Sequence, residues 1–192
     1  MAVLSKRSDS DSKREANRQA IAAATLELLD EGQPFADISI DRIVRQAGLS
    51  RPTFYSHFAD KRELVLYLGQ ALEEEVADVA DPWFSGETDS IRDSLEAFLS
   101  VLGRHHGTLA AIVEASTYDV EVREFWNLLH ERFRIAAASR IREMEPDLDD
   151  AHAEARAFAL VWMTEKTMTE LVAGADLEEV AVLDELTRFW SI

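Results

Sequence analysis

Cysteine is absent from this sequence of 192 residues, and the sequence contains no long apolar run. The absence of cysteine excludes disulfide bonds and metal sites built from thiolates, and it suits a reducing compartment. The longest apolar run, Ala157 to Met163, is far shorter than the roughly 20 residues that cross a bilayer. The N-terminus lacks the apolar core of a secretion signal. We therefore expect a cytoplasmic protein that does not enter a membrane.

Basic residues are also fewer than acidic residues, but only in residues 69–192. The net charge of −17 comes from 20 Lys and Arg against 37 Asp and Glu. Residues 1–68 hold ten basic and ten acidic residues, so the whole excess of acid lies in residues 69–192. A nucleic acid can approach the neutral N-terminal part, while the acidic remainder repels phosphate. A second interpretation, that the acid only aids solubility, is compatible with the first.

Proline and glycine are scarce, at four and seven residues, and no stretch keeps the alternation typical of a strand. The sequence therefore predicts an all-α fold of about nine helices. Residues 1–12, rich in Ser, Asp, Lys and Arg, are expected to form a mobile arm. Two capping boxes, Asp60 with Glu63 and Asp176 with Glu179, indicate the starts of the fourth and the last helix. The predicted helices span about residues 13–31, 40–47, 51–58, 60–82, 89–105, 107–116, 119–144, 149–174 and 178–191.

The densest pattern lies between residues 39 and 61, which read SIDRIVRQAGLSRPTFYSHFADK. Ser39 and Ser50 are suited to cap the second and third helices. The residues Ala47-Gly48-Leu49 form a turn of the length that joins two helices in a helix-turn-helix. The segment therefore predicts a helix-turn-helix whose third helix enters the major groove of DNA. The alternative is a plain helical hairpin whose polar residues face water.

The polar residues of this segment divide by position into two groups. Arg51 and Thr53 lie near the N-terminus of the third helix, the part that usually reaches base edges. The positive ends of the second and fourth helices favour contacts with phosphate. The residues best placed as phosphate donors are Ser39, Tyr55, His57 and Lys61.

The segment closely resembles the signature of the TetR family of regulators. In that signature Ser or Thr opens helix two, Ala-Gly makes the turn, the recognition helix ends in Tyr-x-x-Phe, and Lys opens helix four. Within the family the chain is most similar to the ethionamide-resistance regulator subgroup. The resemblance implies a helix-turn-helix DNA-binding domain in residues 1–66 and a ligand-binding and dimerisation domain in residues 67–192. The matching residues are Ser39, Ala47-Gly48, Tyr55 to Phe58 and Lys61 for the family, and Asp37-Ile38-Ser39, Gly48 to Tyr55, Val182-Leu183-Asp184 and Trp190 for the subgroup.

The same resemblance implies a long apolar tunnel for a small lipophilic effector. From the residues alone, the aromatic stripes of the later helices would be interpreted as core. The subgroup places two Asn on the penultimate helix as hydrogen-bond partners of the ligand, where this chain has Val161 and Thr164, so a ligand of different polarity is implied. The residues that fall on the implied tunnel wall are Phe98, Leu102, Trp126, Leu129, Met163, Thr164, Thr167 and Trp190.

A homodimer is expected because one recognition helix reads only a few base pairs. The last two predicted helices, about 149–174 and 178–191, are the candidates for its interface. We therefore expect a repressor that binds a palindromic operator in double-stranded DNA and is released by the effector. The alternatives are an activator of the same fold and a helical DNA-binding protein without a ligand.

Enzymatic chemistry has little support in the sequence. His105 and His106 are adjacent, so a helix points them about 100 degrees apart and makes them a poor metal pair. His130 and His152 lie on separate predicted helices without H-E-x-x-H spacing. We find no glycine-rich phosphate loop and no nucleophile elbow. The sequence therefore predicts a protein that is not an enzyme and uses neither cofactor nor metal.

Overall fold

The computed structural model of this chain describes the backbone of residues 2–191 and the side chains of residues 12–191. This part of the chain contains nine α-helices, a short 3-10 turn at Phe35–Asp37 and no strand, which confirms the predicted all-α fold. The helices are α1 (Ala2–Asp30), α2 (Ile40–Gln46), α3 (Arg51–Tyr55), α4 (Lys61–Phe84), α5 (Ile91–Arg104), α6 (His106–Ser116), α7 (Val120–Met144), α8 (Asp150–Val172) and α9 (Glu179–Trp190).

Most helices begin directly after a residue whose side chain caps the first turn. The side chains of Ser39 and Ser50 accept the N–H groups that open α2 and α3. At α4, Asp60 accepts the N–H of Glu63 at 2.9 Å, while the Glu63 carboxylate accepts the N–H of Ala59 at 2.6 Å. These reciprocal bonds satisfy donors that the first turn of a helix leaves without partners.

The predicted arm at the N-terminus and the capping box predicted for the last helix are wrong. Helix α1 begins at Ala2, so residues 2–12 are helical rather than an arm, and no proline or glycine interrupts them. Residue 1 lies outside the described residues. Helix α9 is preceded by Glu178, which makes no capping bond through its side chain, so Asp176 does not cap this helix. The helix starts too late in the chain for the proposed box.

The first three helices form the head of the molecule. Their packing is centred on Ile21, Ile43, Phe54 and Phe58, none more than 1% exposed. The turn between α2 and α3 passes through Gly48 at a φ of +66°, a backbone conformation that residues with a Cβ rarely adopt. This turn sets α3 across the head with its polar side outward.

Helix α4 leaves the head and runs into the body, formed by α5 to α9. It continues to Phe84, past the predicted end near Pro82, because a proline in the last turn removes a single backbone hydrogen bond. Helix α6 packs against α1, and a Cβ on Gly107 would lie 2.9 Å from the Leu29 Cβ. Within residues 2–191 no helix is long and apolar enough to cross a membrane. Head and body therefore meet through α4 and α6.

Candidate nucleic-acid interface and ligand cavity

Helix α3 buries the side chain of one residue, and its other side chains are exposed to solvent or half-buried. Phe54 is fully buried, whereas Arg51, Tyr55 and Ser56 are exposed and Thr53 is half-buried. The Thr53 hydroxyl lies 2.8 Å from the hydroxyl of Ser50, so it belongs to the cap of the helix. Ser39 is exposed at the N-terminus of α2, and His57 is half-buried just beyond α3. The structure thus brings five of the six predicted DNA contacts to the outer side of α2 and α3.

Arg51 already has partners in the free protein. Its guanidinium donates to the Asp41 carboxylate at 3.1 Å and to the Tyr55 hydroxyl at 3.3 Å. The hydrogen bond with Tyr55 and then the charge of Asp41 raise the pKa of Arg51 above its ordinary value. All three side chains are exposed, so these contacts hold Arg51 across the face of α3 without burying it.

Lys61, the sixth predicted contact, points toward the 3-10 turn. Its ammonium donates to the backbone carbonyls of Phe35 at 2.5 Å and Ala36 at 3.1 Å, and it lies 4.5 Å from the centre of the Phe35 ring. Burial lowers the pKa of Lys61, and the nearby charges of Glu114 and Asp37 partly offset this effect. Two of its three N–H donors are therefore committed to the loop between α1 and α2.

His57 lies beside two arginines of α1. Burial, and then the positive charges of Arg14 and Arg18, lower the pKa of His57 below its ordinary value. The Arg18 guanidinium stacks on the ring of Tyr67, 4.1 Å from its centre. Arg14 is exposed. Sequence reasoning missed these arginines because they precede His57 by about forty residues and only the packing of α1 brings them close.

Two other basic side chains of the head form ion pairs. Arg42 bonds to Glu31 at 2.9 Å, and Arg62 bonds to Asp60 at 3.1 Å and to Glu121 at 2.7 Å. Arg45 is exposed and forms no ion pair with any residue in the described part of the chain. Phosphate groups that approach the head would compete with these acidic partners.

A carboxylate of the body holds the loop of the head. The two oxygens of Glu114, on α6, accept the backbone N–H groups of Phe35 at 2.7 Å and Ala36 at 2.8 Å. The carbonyls of the same two residues bind Lys61. Leu109, on the same helix as Glu114, lines the cavity described next. Helix α6 therefore touches both the cavity and the loop that precedes α2.

The body encloses a cavity of about 90 Å³. Side chains from α4 to α9 line it, and most of them are apolar. Sequence reasoning missed the contribution of α4, which supplies Leu72, Val76, Trp83 and Phe84. The predicted tunnel residues that line the cavity are Phe98, Leu102, Trp126, Leu129, Thr164 and Trp190.

Met163 and Thr167, also predicted for the tunnel wall, lie elsewhere. They line a surface groove between α8 and α9, together with Leu177 and Phe189. On a helix with 3.6 residues per turn, position 163 lies about 100° and position 167 about 60° from Thr164 in the same sense of rotation, so both are turned from the cavity toward α9. Both residues are half-buried by α9, and neither contributes to the cavity.

The hydroxyl of Thr164 is already engaged in the free protein. It accepts the indole N–H of Trp190 at 2.8 Å. Trp190 packs edge-on against Trp83, with ring centres 5.2 Å apart. This bond joins α9 to α8 and uses one lone pair of the Thr164 hydroxyl.

Sequence reasoning did not place His130 and Glu165, two polar residues, on the cavity wall. His130 is 4% exposed, and its Nε2 lies 3.5 Å from a carboxylate oxygen of Glu165. The sequence offered one signal, because Glu165 follows Thr164 on a stretch of α8 that is otherwise rich in apolar residues. The partner of Glu165 depends on the packing of α7 on α8.

Two family models match the chain. The model for bacterial regulatory proteins of the tetR family matches residues 21–68, and the model for the C-terminal domain of the transcriptional regulator EthR matches residues 91–192, more than half of the chain. The chain belongs to the TetR family, with an EthR-type C-terminal domain. The first match contains α2 and α3, and the second contains the cavity helices α5 to α9.

Relatives agree with this assignment. The HTH-type transcriptional regulator EthR of Mycolicibacterium smegmatis is 33% identical over 187 positions, which cover 91% of this chain and 84% of that protein. EthR of Mycobacterium tuberculosis is 32% identical, with coverage of 91% and 85%. A TetR-like regulator from Rhodococcus has the same fold, with a TM-score of 0.69, 24% identity and coverage of 91% and 93%.

These family members are transcriptional regulators, which confirms the prediction that the chain is not an enzyme. The protein is a TetR-family regulator with an N-terminal DNA-binding domain and a C-terminal ligand-binding domain.

Proposed function

We propose that this regulator is a repressor that binds a palindromic operator as a homodimer and leaves it when a small lipophilic effector occupies the cavity. Residues 1–66 bind DNA, and residues 67–192 bind the effector and the second subunit. In a bacterium this function places the protein in the cytoplasm. One observation carries the proposal: α6 lines the cavity through Leu109 and holds the head through Glu114.

In this proposal α3 reads bases and its surroundings bind phosphate. Arg51 exchanges Asp41 for a guanine edge, the base contact that arginine makes most often, and Thr53 lies beside it. Ser39, Tyr55 and His57 donate to phosphate from the same side of the head. Lys61 uses its third N–H for a phosphate at the positive end of α4, because the loop carbonyls take the other two.

The effector is proposed to contact the six predicted residues that line the cavity, without Met163 and Thr167. At about 90 Å³ the cavity is smaller than the roughly 300–1,000 Å³ of ordinary ligand sites. A drug-sized molecule must therefore displace side chains or helices when it enters. Because α4 and α6 form part of the wall, this displacement supplies the differential interaction that a conformational switch needs.

The homodimer is proposed to form through α8 and α9. These helices expose large apolar side chains, of which Phe158, Val180 and Phe189 are each more than half exposed. Such a patch is unusual on a monomer and typical of an interface. Ala155 and Ala159 are exposed on the same stretch of α8 as Phe158 and permit close approach of a second helix.

Effector and operator are proposed to compete through the spacing of the two heads. Two recognition helices must lie about one turn of DNA apart to enter successive grooves. An expanded cavity shifts α4 and α6, and with them the head, away from that spacing. A coupling free energy of about 1–3 kcal/mol changes operator affinity about 5- to 150-fold.

Selection of bound duplexes from a random pool tests this function. We expect the full-length protein to enrich an inverted repeat with half-sites about one helical turn apart. The variant Arg51→Ala should retain binding to duplexes in general and lose preference at one position of each half-site. Enrichment of a single, unrepeated site contradicts the paired mode, and no enrichment at moderate salt contradicts specific DNA binding by a folded protein.

A further inference from the structure

The orientation of His130 on the cavity wall requires a proton on its Nδ1. Its Nδ1 lies 2.8 Å from the backbone carbonyl oxygen of Trp126. A carbonyl oxygen can only accept a hydrogen bond, so Nδ1 donates. The neutral imidazole then presents a lone pair, and no proton, at Nε2.

Neighbouring rings hold this orientation. The imidazole stacks on Trp162 with ring centres 4.1 Å apart and an angle of 11° between the planes. Trp126 packs edge-on against its other side at 4.7 Å. The Nε2 atom is buried and has no hydrogen-bond partner among the described residues. A buried polar atom without a partner is costly, so its retention calls for an explanation.

Glu165 places a second acceptor beside this lone pair. Its Oε2 lies 3.5 Å from His130 Nε2, while its Oε1 accepts the hydroxyl proton of Thr169 at 2.8 Å. Only 15% of the Glu165 side chain is exposed, and no Lys or Arg within residues 12–191 forms an ion pair with it. Thr169 supplies a donor to Oε1, and Oε2, beside the apolar wall, needs a positive or hydrogen-bond-donating partner of its own. His130, Glu165 and Thr169 all line the cavity.

We propose that the effector is an apolar molecule that carries a basic amine, and that this amine donates to both His130 Nε2 and the Glu165 carboxylate. The inference rests on the proposed function of the cavity as the effector site. An ammonium nitrogen can reach two acceptors 3.5 Å apart at normal hydrogen-bond distances, and its charge pairs with the carboxylate. A ketone or ester would bring a third acceptor to the same place. The apolar part of the molecule then lies among the rings of Trp126 and Phe133.

A matched pair of small probes tests the inference on the full-length protein. Phenylbutylamine carries the donor, and phenylbutyl methyl ketone has a similar body but only an acceptor. By isothermal titration calorimetry we expect the amine to bind at least about ten-fold more tightly, the usual gain of a charge-assisted hydrogen bond. Equal affinity, or tighter binding of the ketone, overturns the inference.

Two variants test whether the preference for the amine over the ketone depends on Glu165 and His130. Glu165→Gln removes the charge and keeps the shape, so it should weaken the amine about ten-fold, and it should not weaken the ketone because the new amide can donate to a carbonyl. Glu170→Gln, an exposed position on the same helix, is the control and should change neither affinity. His130→Phe keeps the stacked ring, removes the acceptor and should also weaken the amine. Unchanged amine affinity in both cavity variants overturns the inference.

The results also separate this inference from the proposed function. If amine and ketone bind equally, the cavity takes ligands without the predicted head group, so the inference fails and the proposed function stands. If neither probe binds, although thermal denaturation shows a folded protein, the inference fails and the effector part of the proposed function loses its support.

Discussion

Arg51 is one of several basic side chains of the head that bond to acidic or polar side chains in the free protein. The side chain predicted to reach base edges is held by Asp41 and Tyr55, and other basic side chains of the head are held in similar ways. In the proposed complex, phosphates and base edges replace these partners, so a head without net charge can bind DNA. Affinity then depends on geometry more than on net charge, and non-specific binding is weakened by the acidic partners.

Lys61 is predicted to act on DNA directly and through the loop that it binds. Lys61→Met removes the charge and keeps the apolar stem, so it should weaken binding to every duplex and lower the salt dependence by about one unit. Fluorescence anisotropy across a series of salt concentrations measures both. Arg104→Met, on α5 in the body, is the control. A weaker affinity with an unchanged salt slope would leave Lys61 with a role in positioning the loop only.

His57 is predicted to make operator binding depend on pH. Burial and the charges of Arg14 and Arg18 lower its pKa in the free protein, whereas a nearby phosphate favours the protonated form. Binding therefore takes up a proton, and affinity should rise as the pH falls from about 8 to about 6, around the unperturbed value of about 6.5. Anisotropy titrations at constant salt measure this rise. In His57→Gln the rise should disappear, and its persistence would assign it to another group.

Surface positions in the head could be predicted from the sequence, but their partners could not. Helical periodicity places Phe54 inward and Arg51 outward, as observed. Glu114 lies 79 residues beyond Phe35, and His130 meets Glu165 across two helices. Such pairs depend on how α6 packs on α1 and how α7 packs on α8, which the local pattern does not specify.

Among the elements, helix ends were predicted best where a side chain caps them. Ser39, Ser50 and Asp60 begin three consecutive helices at the predicted places because each side chain satisfies a backbone donor. The start of α9 was predicted to within one residue, but the proposed cap at Asp176 was wrong because no side chain caps this helix. Met163 and Thr167 were misplaced because α8 is rich in apolar residues on two sides, one toward the cavity and one toward α9. Periodicity alone does not distinguish those sides.

The contact between α1 and α6 is predicted to need a glycine. In Gly107→Ala the new Cβ would lie 2.9 Å from both the Leu29 Cβ and an Asp30 carboxylate oxygen. We expect a loss of about 1–3 kcal/mol in the free energy of unfolding, measured by urea denaturation. Gly103→Ala in α5 meets no atom within 4 Å and should raise the same quantity by about 0.5–1 kcal/mol. Equal effects of the two substitutions would mean that α6 does not press on α1.

At the scale of the whole molecule, the excess of acid and the exposed apolar side chains of α8 and α9 both lie in the body. The excess of acid falls in residues 69–192, which limits contact with DNA to the head. The large apolar side chains exposed on α8 and α9 belong to this acidic part. This arrangement suits a dimer that meets DNA with its two heads and meets its partner with the far side of each body.

The dimer is predicted to depend on the exposed face of α9. Val180→Asp places a carboxylate in the proposed interface, and burial of this charge without a partner should break the dimer. Light scattering at micromolar concentration should give the mass of two chains for the unsubstituted protein and of one chain for the variant. Ile135→Asp, equally exposed on α7, should remain dimeric. A mass of one chain for the unsubstituted protein would contradict the proposed binding of DNA by two paired heads.

Operator affinity of a protein with a filled cavity tests the central claim most directly. Leu129→Trp adds ring atoms inside the cavity, and Leu128→Trp makes the same change on the exposed side of α7. With both variants folded and dimeric, anisotropy should show operator affinity reduced about 5- to 150-fold for Leu129→Trp and unchanged for Leu128→Trp. If Leu129→Trp does not fold, Val161→Phe fills the same space from α8. Unaltered operator affinity in a folded, cavity-filled dimer would contradict the link between cavity and head.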